Sequence, residues 1–349
     1  MVDFKHNLIG VFSDIHIGLG QDSTVWHECV IEFAQWVKSL YKSKNIKDIV
    51  IPGDIFHNRS EISVNTLSVA KTFFEILSEF NIYILVGNHD CYYKDRSDIN
   101  SISLLNYWNN INIIDKNVVT IEYKDKKISF VPWATPLKDM PKSDICFGHF
   151  EINSFHMNAY KICEHGFDSE DLLTKSPFII SGHFHKKSFK KYTNGVVYYL
   201  GSPYQQNFGD CGEDRGVYTL NLDDFELKFY ENDKSPKHIK ISIKKLIEGK
   251  IDANFLKQNI PSNIVSLIID ENLSSEKILL ISSKIQNLKP KSFRTDYKLE
   301  DNLLSDHPHQ DYSSIDITKS MEDFISTLDV QYKEDVVNYL NQLYNNLHK

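Results

Sequence analysis

The sequence predicts an α/β fold in which two sheets pack face to face as a β-sandwich flanked by helices, with a small α/β cap and C-terminal helices. Three observations predict it. Between Leu8 and Val86 apolar strand-like runs alternate with amphipathic helical stripes. From Val118 to Tyr230 short strand-like runs follow one another too densely for one small open sheet. Five apolar runs end in Asp, Asn or His, as strands do when their carboxyl ends converge on one site.

Taken in order, Leu8–Ser13 reads as a buried strand. Trp26, Val30, Ala34, Val37 and Tyr41 then recur at helical spacing, and Asn45–Ile51 returns as a strand. Leu67, Ala70, Phe74, Leu77 and Phe80 give a second helical stripe, Ile82–Val86 a third strand, and Ile102–Trp108 a short helix. The runs 118–122, 128–131, 145–148, 178–181, 196–200, 217–222 and 226–230 supply the rest of two sheets. A second unit begins near Lys237, with a strand at 264–269, a helix at 275–288 and a strand at 292–299. It is too small to bury much alone and should lean on the main domain. The division expected is a main domain over 1–235, a cap over 236–299, a polar linker over 300–314, and two amphipathic helices over 315–349.

Composition narrows the class. No apolar run approaches the roughly 18 residues of a membrane span, and the N-terminus runs from charged residues straight into a strand, so neither a membrane nor a signal peptide is expected. Five widely spaced cysteines with no C-x-x-C suit reduced thiols in a cytoplasmic protein. The net charge of −8 is concentrated at the C-terminal end. Of 47 acidic and 39 basic residues, eleven and four fall in 296–349, leaving a nearly neutral body of 36 acids and 35 bases. A neutral body with local basic clusters can still hold a phosphate backbone. Lys186, Lys187, Lys190 and Lys191 form such a cluster, which either tracks a backbone into the site or is a solvated hairpin. Trp133 and Phe155 are the aromatics expected near the site, and His156, His165, His238, His307, His309 and His348 are expected at the surface or in the linker.

The chemistry lies in the five strand ends. Asp54, after Gly53, can offer one carboxylate oxygen to each of two cations. Asp14 and His16, one residue apart, point to the same side of an extended run, as do His183 and His185. Carboxylate with imidazole suits manganese, iron or zinc. Asn88 adds a neutral amide oxygen, and Gly148-His149 one more imidazole. In Gly87-Asn88-His89-Asp90, His89 is a candidate general acid and Asp90 its orienting partner. Two cations at such a point cleave phosphate esters.

In this order the five motifs resemble the calcineurin-like metallophosphoesterase superfamily over roughly residues 7–220. Within it, Gly53-Asp54-Ile55-Phe56-His57, Gly87-Asn88-His89-Asp90, Gly182-His183-Phe184-His185 and Tyr199-Leu200-Gly201-Ser202-Pro203 are similar to the SbcD-type double-strand-break repair nucleases. Gly148-His149-Phe150-Glu151-Ile152-Asn153 and Asp214-Arg215-Gly216 look like the T-even phage members.

The resemblance implies a metallophosphoesterase-type sandwich and two manganese ions, with magnesium a poorer substitute. Asp14, His16, Asp54 and His185 would hold one ion, and Asp54, Asn88, His149 and His183 the other. His89 would be the catalytic histidine and His57 would help position the phosphate. It implies DNA as substrate (ends, duplex or single strand) and an SMC-like coiled-coil ATPase of the SbcC type, bound through the C-terminal helices of a homodimer within a heterotetramer. For a phage-encoded chain the compartment would be the host cytoplasm. The chain has no G-x-x-x-x-G-K-[ST] loop, so ATP hydrolysis would come from another polypeptide. A phosphatase or cyclic-nucleotide phosphodiesterase of the same fold, or a non-catalytic scaffold, are the competing readings. Asp90 stands where the phosphatases carry Glu.

Overall fold

The computed structural model describes residues 4–157 and 161–298. The expected linker and C-terminal helices lie outside them. Two six-stranded mixed sheets form the main body. The first is ordered β12-β11-β1-β2-β3-β4, with β1 Leu8–Val11, β2 Asp48–Ile51, β3 Asn81–Leu85, β4 Ile111–Ile114, β11 Gly216–Asn221 and β12 Leu227–Glu231. The second is ordered β5-β6-β7-β8-β10-β9, with β5 Val119–Tyr123, β6 Lys126–Val131, β7 Ile145–His149, β8 Phe178–Gly182, β9 Ser188–Tyr192 and β10 Gly195–Tyr199. In the first sheet β1 to β4 run parallel, and in the second β6, β7, β8 and β10 do.

Side-chain alternation explains the layers. Ile49 and Ile51 of β2 face the helices, while Val50 faces the other sheet. Because both faces of β2 are covered, the strand is buried throughout. Between the sheets, Ile9, Val11, Val50 and Leu85 meet Ile128, Phe130, Phe147 and Ile180. Phe130 and Phe147 stack there at 5.4 Å. Outside the first sheet lie helices Thr24–Ser43 and Val64–Ile76. Val30, Phe33, Ala34, Val37 and Tyr41 form the buried stripe of the first, and Ala70, Phe73 and Phe74 that of the second. Ser63 caps the second helix, its hydroxyl accepting from Thr66 N–H. The segment Ser101–Tyr107 is a 3₁₀ helix.

A third, all-parallel sheet comprises β13 His238–Ser242, β14 Ile264–Ile269 and β15 Ser292–Tyr297. With helix Ser275–Gln286 it encloses its own apolar cluster of Ile241, Val265, Leu267 and Ile285. Lys291 reaches across to Glu32 at 3.0 Å. His238 is buried rather than exposed, which corrects the surface placement expected for it. Its ring stacks on Trp26 at 5.7 Å, and its N–H donates to Gln205 Oε1 at 2.7 Å. Burial, with Arg294 and Lys240 nearby, pushes its pKa down to about 4. Among the described residues no helix is long and apolar enough to cross a membrane.

Candidate metal centre

The parallel strands of both sheets end side by side, and the residues just past them meet. Asp14 follows β1, Asp54 follows β2, Asn88 and His89 follow β3, His149 ends β7, and His183 follows β8. The loops after β1 and β2 zip together. Asp14 N–H donates to Gly53 O at 3.2 Å, His16 N–H to Asp54 O at 3.1 Å, and His57 N–H to Ile17 O at 2.9 Å. Two glycines permit close approach, Gly87 between the loops after β3 and β2 and Gly182 between the two sheets. A Cβ on Gly87 would lie 2.3 Å from Asp54 Oδ1, and one on Gly182 would lie 2.2 Å from Ser13 Oγ. Four of the site residues have left-handed backbones: Asp14 (φ 59°), His16 (52°), Asp54 (55°) and His183 (92°). Each such residue costs about 1–3 kcal/mol and persists only where its surroundings hold it, as at functional sites.

Asp54 is the centre of the arrangement. Its Oδ2 lies 3.5 Å from His16 Nε2, and its Oδ1 lies 3.4 Å from His149 Nε2. The two oxygens therefore face two different donor sets. Asp14, His16 and His185 form one, and Asp54, His149 and His183 the other; within each, one donor atom per residue lies within 4.8 Å of the rest. Asn88 Oδ1 sits 2.9 Å from both His149 Nε2 and His183 Nδ1. His149 Nδ1–H donates to Pro52 O at 2.6 Å, which leaves its Nε2 facing the centre.

These residues fit a pair of divalent cations. Asp54 Oδ2 is buried with no hydrogen bond. His16 Nε2 and His185 Nε2 face each other at 3.0 Å. Burial holds both rings neutral, His185 at a pKa of about 3 and His16 well below its ordinary value, so their lone pairs are free for a cation. Burial pushes Asp14 up to about 7. It would raise Asp54 too, but the His149 charge and hydrogen bond hold that carboxyl well below its usual range. Burial likewise lowers His149, yet the Asp54 charge outweighs this and brings it up to about 9.

A proton on His149 at neutral pH must leave when a cation arrives. Metal binding at pH 7 is therefore expected to release between one and two protons, about one from His149 and about half of one from Asp14, and affinity to rise about tenfold per pH unit between pH 8 and 9 and more steeply below pH 7. Calorimetry in buffers of different ionisation enthalpy measures this. An affinity constant between pH 6 and 8 would contradict it.

His89 N–H donates to Asp54 Oδ1 at 2.8 Å, and its Nδ1–H donates to His57 O at 2.7 Å, so its Nε2 is the nitrogen left for substrate. The His57 ring stacks on His89 at 5.7 Å, and His16, His57 and His89 lie together. Asp90 does not do what was expected of it. Its carboxylate is buried and accepts from four backbone amides instead of the His89 ring. Oδ2 takes Asp54 N–H and Gly87 N–H, both at 2.9 Å. Oδ1 takes Ile55 N–H at 3.0 Å and Phe56 N–H at 3.1 Å. Asp90 thus ties the loop after β3 to the loop after β2. Burial, with the Asp54 charge, pushes it up to about 7, while those amide bonds favour its ionised form.

Trp133 stands beside the site, 5.3 Å from the His183 ring, whereas Phe155 is core, packed on Tyr199. The lysine cluster lies along the edge strand β9 and its approach, and three of its members are engaged. Lys186 pairs with Glu213 at 2.9 Å, Lys187 with Asp214 at 3.6 Å, and Lys190 donates to Ser154 O at 2.8 Å. The sequence reading gave no role to Glu151, whose Oε1 lies 4.0 Å from His183 Nε2. Its spacing of two from His149 was the available signal, since alternate residues of an extended run share a side.

Comparison with known proteins agrees with this geometry. The chain is 27% identical over 345 residues to exonuclease subunit 1 of Enterobacteria phage T4, covering 91% of this chain and 96% of that one. It is 23% identical to the putative phosphoesterase 078R of invertebrate iridescent virus 3, covering 86% of each. A dimetal phosphatase structure from Danio rerio matches at 11% identity over 64% of this chain and 95% of that one, with a TM-score of 0.40, too distant to carry an argument. The calcineurin-like phosphoesterase family profile matches residues 8–187, more than half of the chain and the span that holds every residue of the two donor sets. The chain belongs to the calcineurin-like phosphoesterases.

Proposed function

We propose that the protein is a two-metal DNA nuclease subunit, an exonuclease or endonuclease that processes DNA ends in recombination, repair or replication. The observation that carries the reading is the extent of the likeness to exonuclease subunit 1. It runs through 91% of this chain and 96% of that one, far past the family match that ends at residue 187. By the same likeness an SMC-like ATPase of the SbcC type is its partner, and residues 236–299, 300–314 and 315–349 are cap, linker and partner-binding helices.

Two divalent cations, manganese by preference and magnesium as substitute, would supply Lewis-acid charge for the phosphate and an acidified water when bound. Asp14, His16 and His185 would hold one cation and Asn88, His149 and His183 the other, with Asp54 offering one oxygen to each. The backbone zipper between the β1 and β2 loops fixes Asp14, His16 and Asp54 relative to one another. The His57 carbonyl holds His89 Nδ1–H, so His89 acts as the doubly protonated imidazolium: its Nε2–H would pass to the leaving oxygen, returning the ring to neutral, or stabilise the charge there. The His57 ring, stacked on His89, positions the phosphate.

The test is a linear duplex labelled at one end, incubated with manganese and either the protein or its His89→Asn variant. The protein degrades the duplex, and the variant binds metal and DNA but is at least about 100-fold slower, the low end for a proton-transfer residue. A variant with near-full turnover removes His89 from the mechanism. Hydrolysis of small phosphate esters without action on DNA moves the substrate to the phosphatase or cyclic-nucleotide class.

A further inference from the structure

Beside the two donor sets, residues 151–157 and 161–167 pair with one another. Asn153 N–H donates to Phe167 O at 2.9 Å and Phe167 N–H to Glu151 O at 2.8 Å. Ser154 N–H donates to Cys163 O at 2.7 Å and Cys163 N–H to Phe155 O at 2.8 Å. This pairing brings Glu151, Cys163 and His165 to one place. A carboxylate oxygen, a sulfur and a ring nitrogen, one from each, lie within 4.8 Å of one another. Gly166 makes the approach feasible: its φ is +90°, and a Cβ there would sit 2.2 Å from the Glu151 carbonyl oxygen.

Burial orders these three donors. Cys163 is fully buried, with Sγ 3.1 Å from His165 O. Glu151 is half-buried, and the His165 side chain is 65% exposed, with Nε2 3.8 Å from Glu151 Oε1. The soft donor therefore lies inside and the imidazole outside, towards solvent.

We infer that Glu151, Cys163 and His165 form a third cation site, for zinc, next to the two-cation centre. A thiolate with an imidazole selects zinc, whereas the oxygen- and nitrogen-only donors of the centre suit manganese. Three protein donors and one water make a tetrahedral zinc shell. Zinc replaces the Cys163 proton, which passes to solvent. Glu151 also connects the sites, because His183 Nε2, 4.0 Å from its Oε1, is a buried ring nitrogen with no hydrogen bond. Glu151 Oε1 faces both His165 and His183, so a zinc ion holding this carboxylate would keep it against His183 Nε2 and fix the ring that holds a cation of the centre. None of this depends on DNA being the substrate.

Cobalt(II) is the probe. The two-cation centre contains no sulfur, so a thiolate-to-cobalt charge-transfer band reports a cysteine alone. The protein titrated with cobalt should show that band. Cys163→Ser should lose it and keep the two equivalents of cobalt held by the centre. His165→Ala, which removes an exposed side chain and spares the core, should need at least about tenfold more cobalt to reach half the band, since losing a donor outweighs the 10–100-fold cost of losing an outer partner. If Cys163→Ser does not fold, His165→Ala decides. No band in the unsubstituted protein, a band that survives Cys163→Ser, or an unchanged cobalt requirement in His165→Ala overturns the proposal.

Discussion

Asp54→Asn is expected to leave a folded protein that holds at most one equivalent of manganese and hydrolyses phosphate esters more than about 100-fold more slowly. The fold survives because asparagine tolerates the left-handed backbone at this position and its amide oxygen still accepts from His89 N–H. The centre does not survive. One of the two positions that face His16 and His149 becomes an NH₂ group, which is a donor where a cation needs a lone pair. Whichever way the amide turns, one donor set loses its shared oxygen. Losing an outer partner of a metal ligand costs 10–100-fold, and a shared ligand costs more. Elemental analysis alongside circular dichroism separates the effects. Two equivalents of manganese in a folded Asp54→Asn protein would disprove the bridging role.

Asp90→Asn should instead act on stability. Two of the four amides that Asp90 satisfies, either Asp54 and Gly87 or Ile55 and Phe56, would face an NH₂ group. Hydrogen bonds to a charged group contribute ~1.5–3 kcal/mol each and stranded buried donors cost ~1–3 kcal/mol. The expected loss is roughly 3–5 kcal/mol, a large share of the stability of an ordinary domain. Urea denaturation with saturating manganese measures it, since bound cations offset the Asp54 charge that opposes ionisation of Asp90. An Asp90→Asn protein as stable as its parent, slowed only in turnover, would restore the role of orienting His89.

Most of the centre was legible because its residues are local to strand ends. An apolar run followed by Asp, Asn or His identifies itself, and the structure brings all seven expected metal-site residues together. Asp90 was misread because its partners, the amides of residues 54–56, belong to another loop, and backbone donors leave no mark in a sequence. Strand β9, Ser188–Tyr192, was missed for a different reason. It is an edge strand carrying Lys190 and Lys191, and charge on an edge is how sheets avoid further pairing, so it reads as a loop. Strand β4 was missed because four residues after an Asn-rich turn are too few for a period to show. His238 was placed at the surface because only the partner of an aromatic stack, here Trp26, distinguishes a buried histidine from an exposed one.

The two donor sets draw on both sheets, with Asp14, Asp54 and Asn88 from the first and His149, His183 and His185 from or next to the second. A slip of one residue in any of these strand pairings turns its side chains to the opposite face. Only a chain with β1, β2, β3, β7 and β8 all in register presents a complete set of donors. Bound cations would therefore add their binding free energy to that one alignment of the sandwich and to no other.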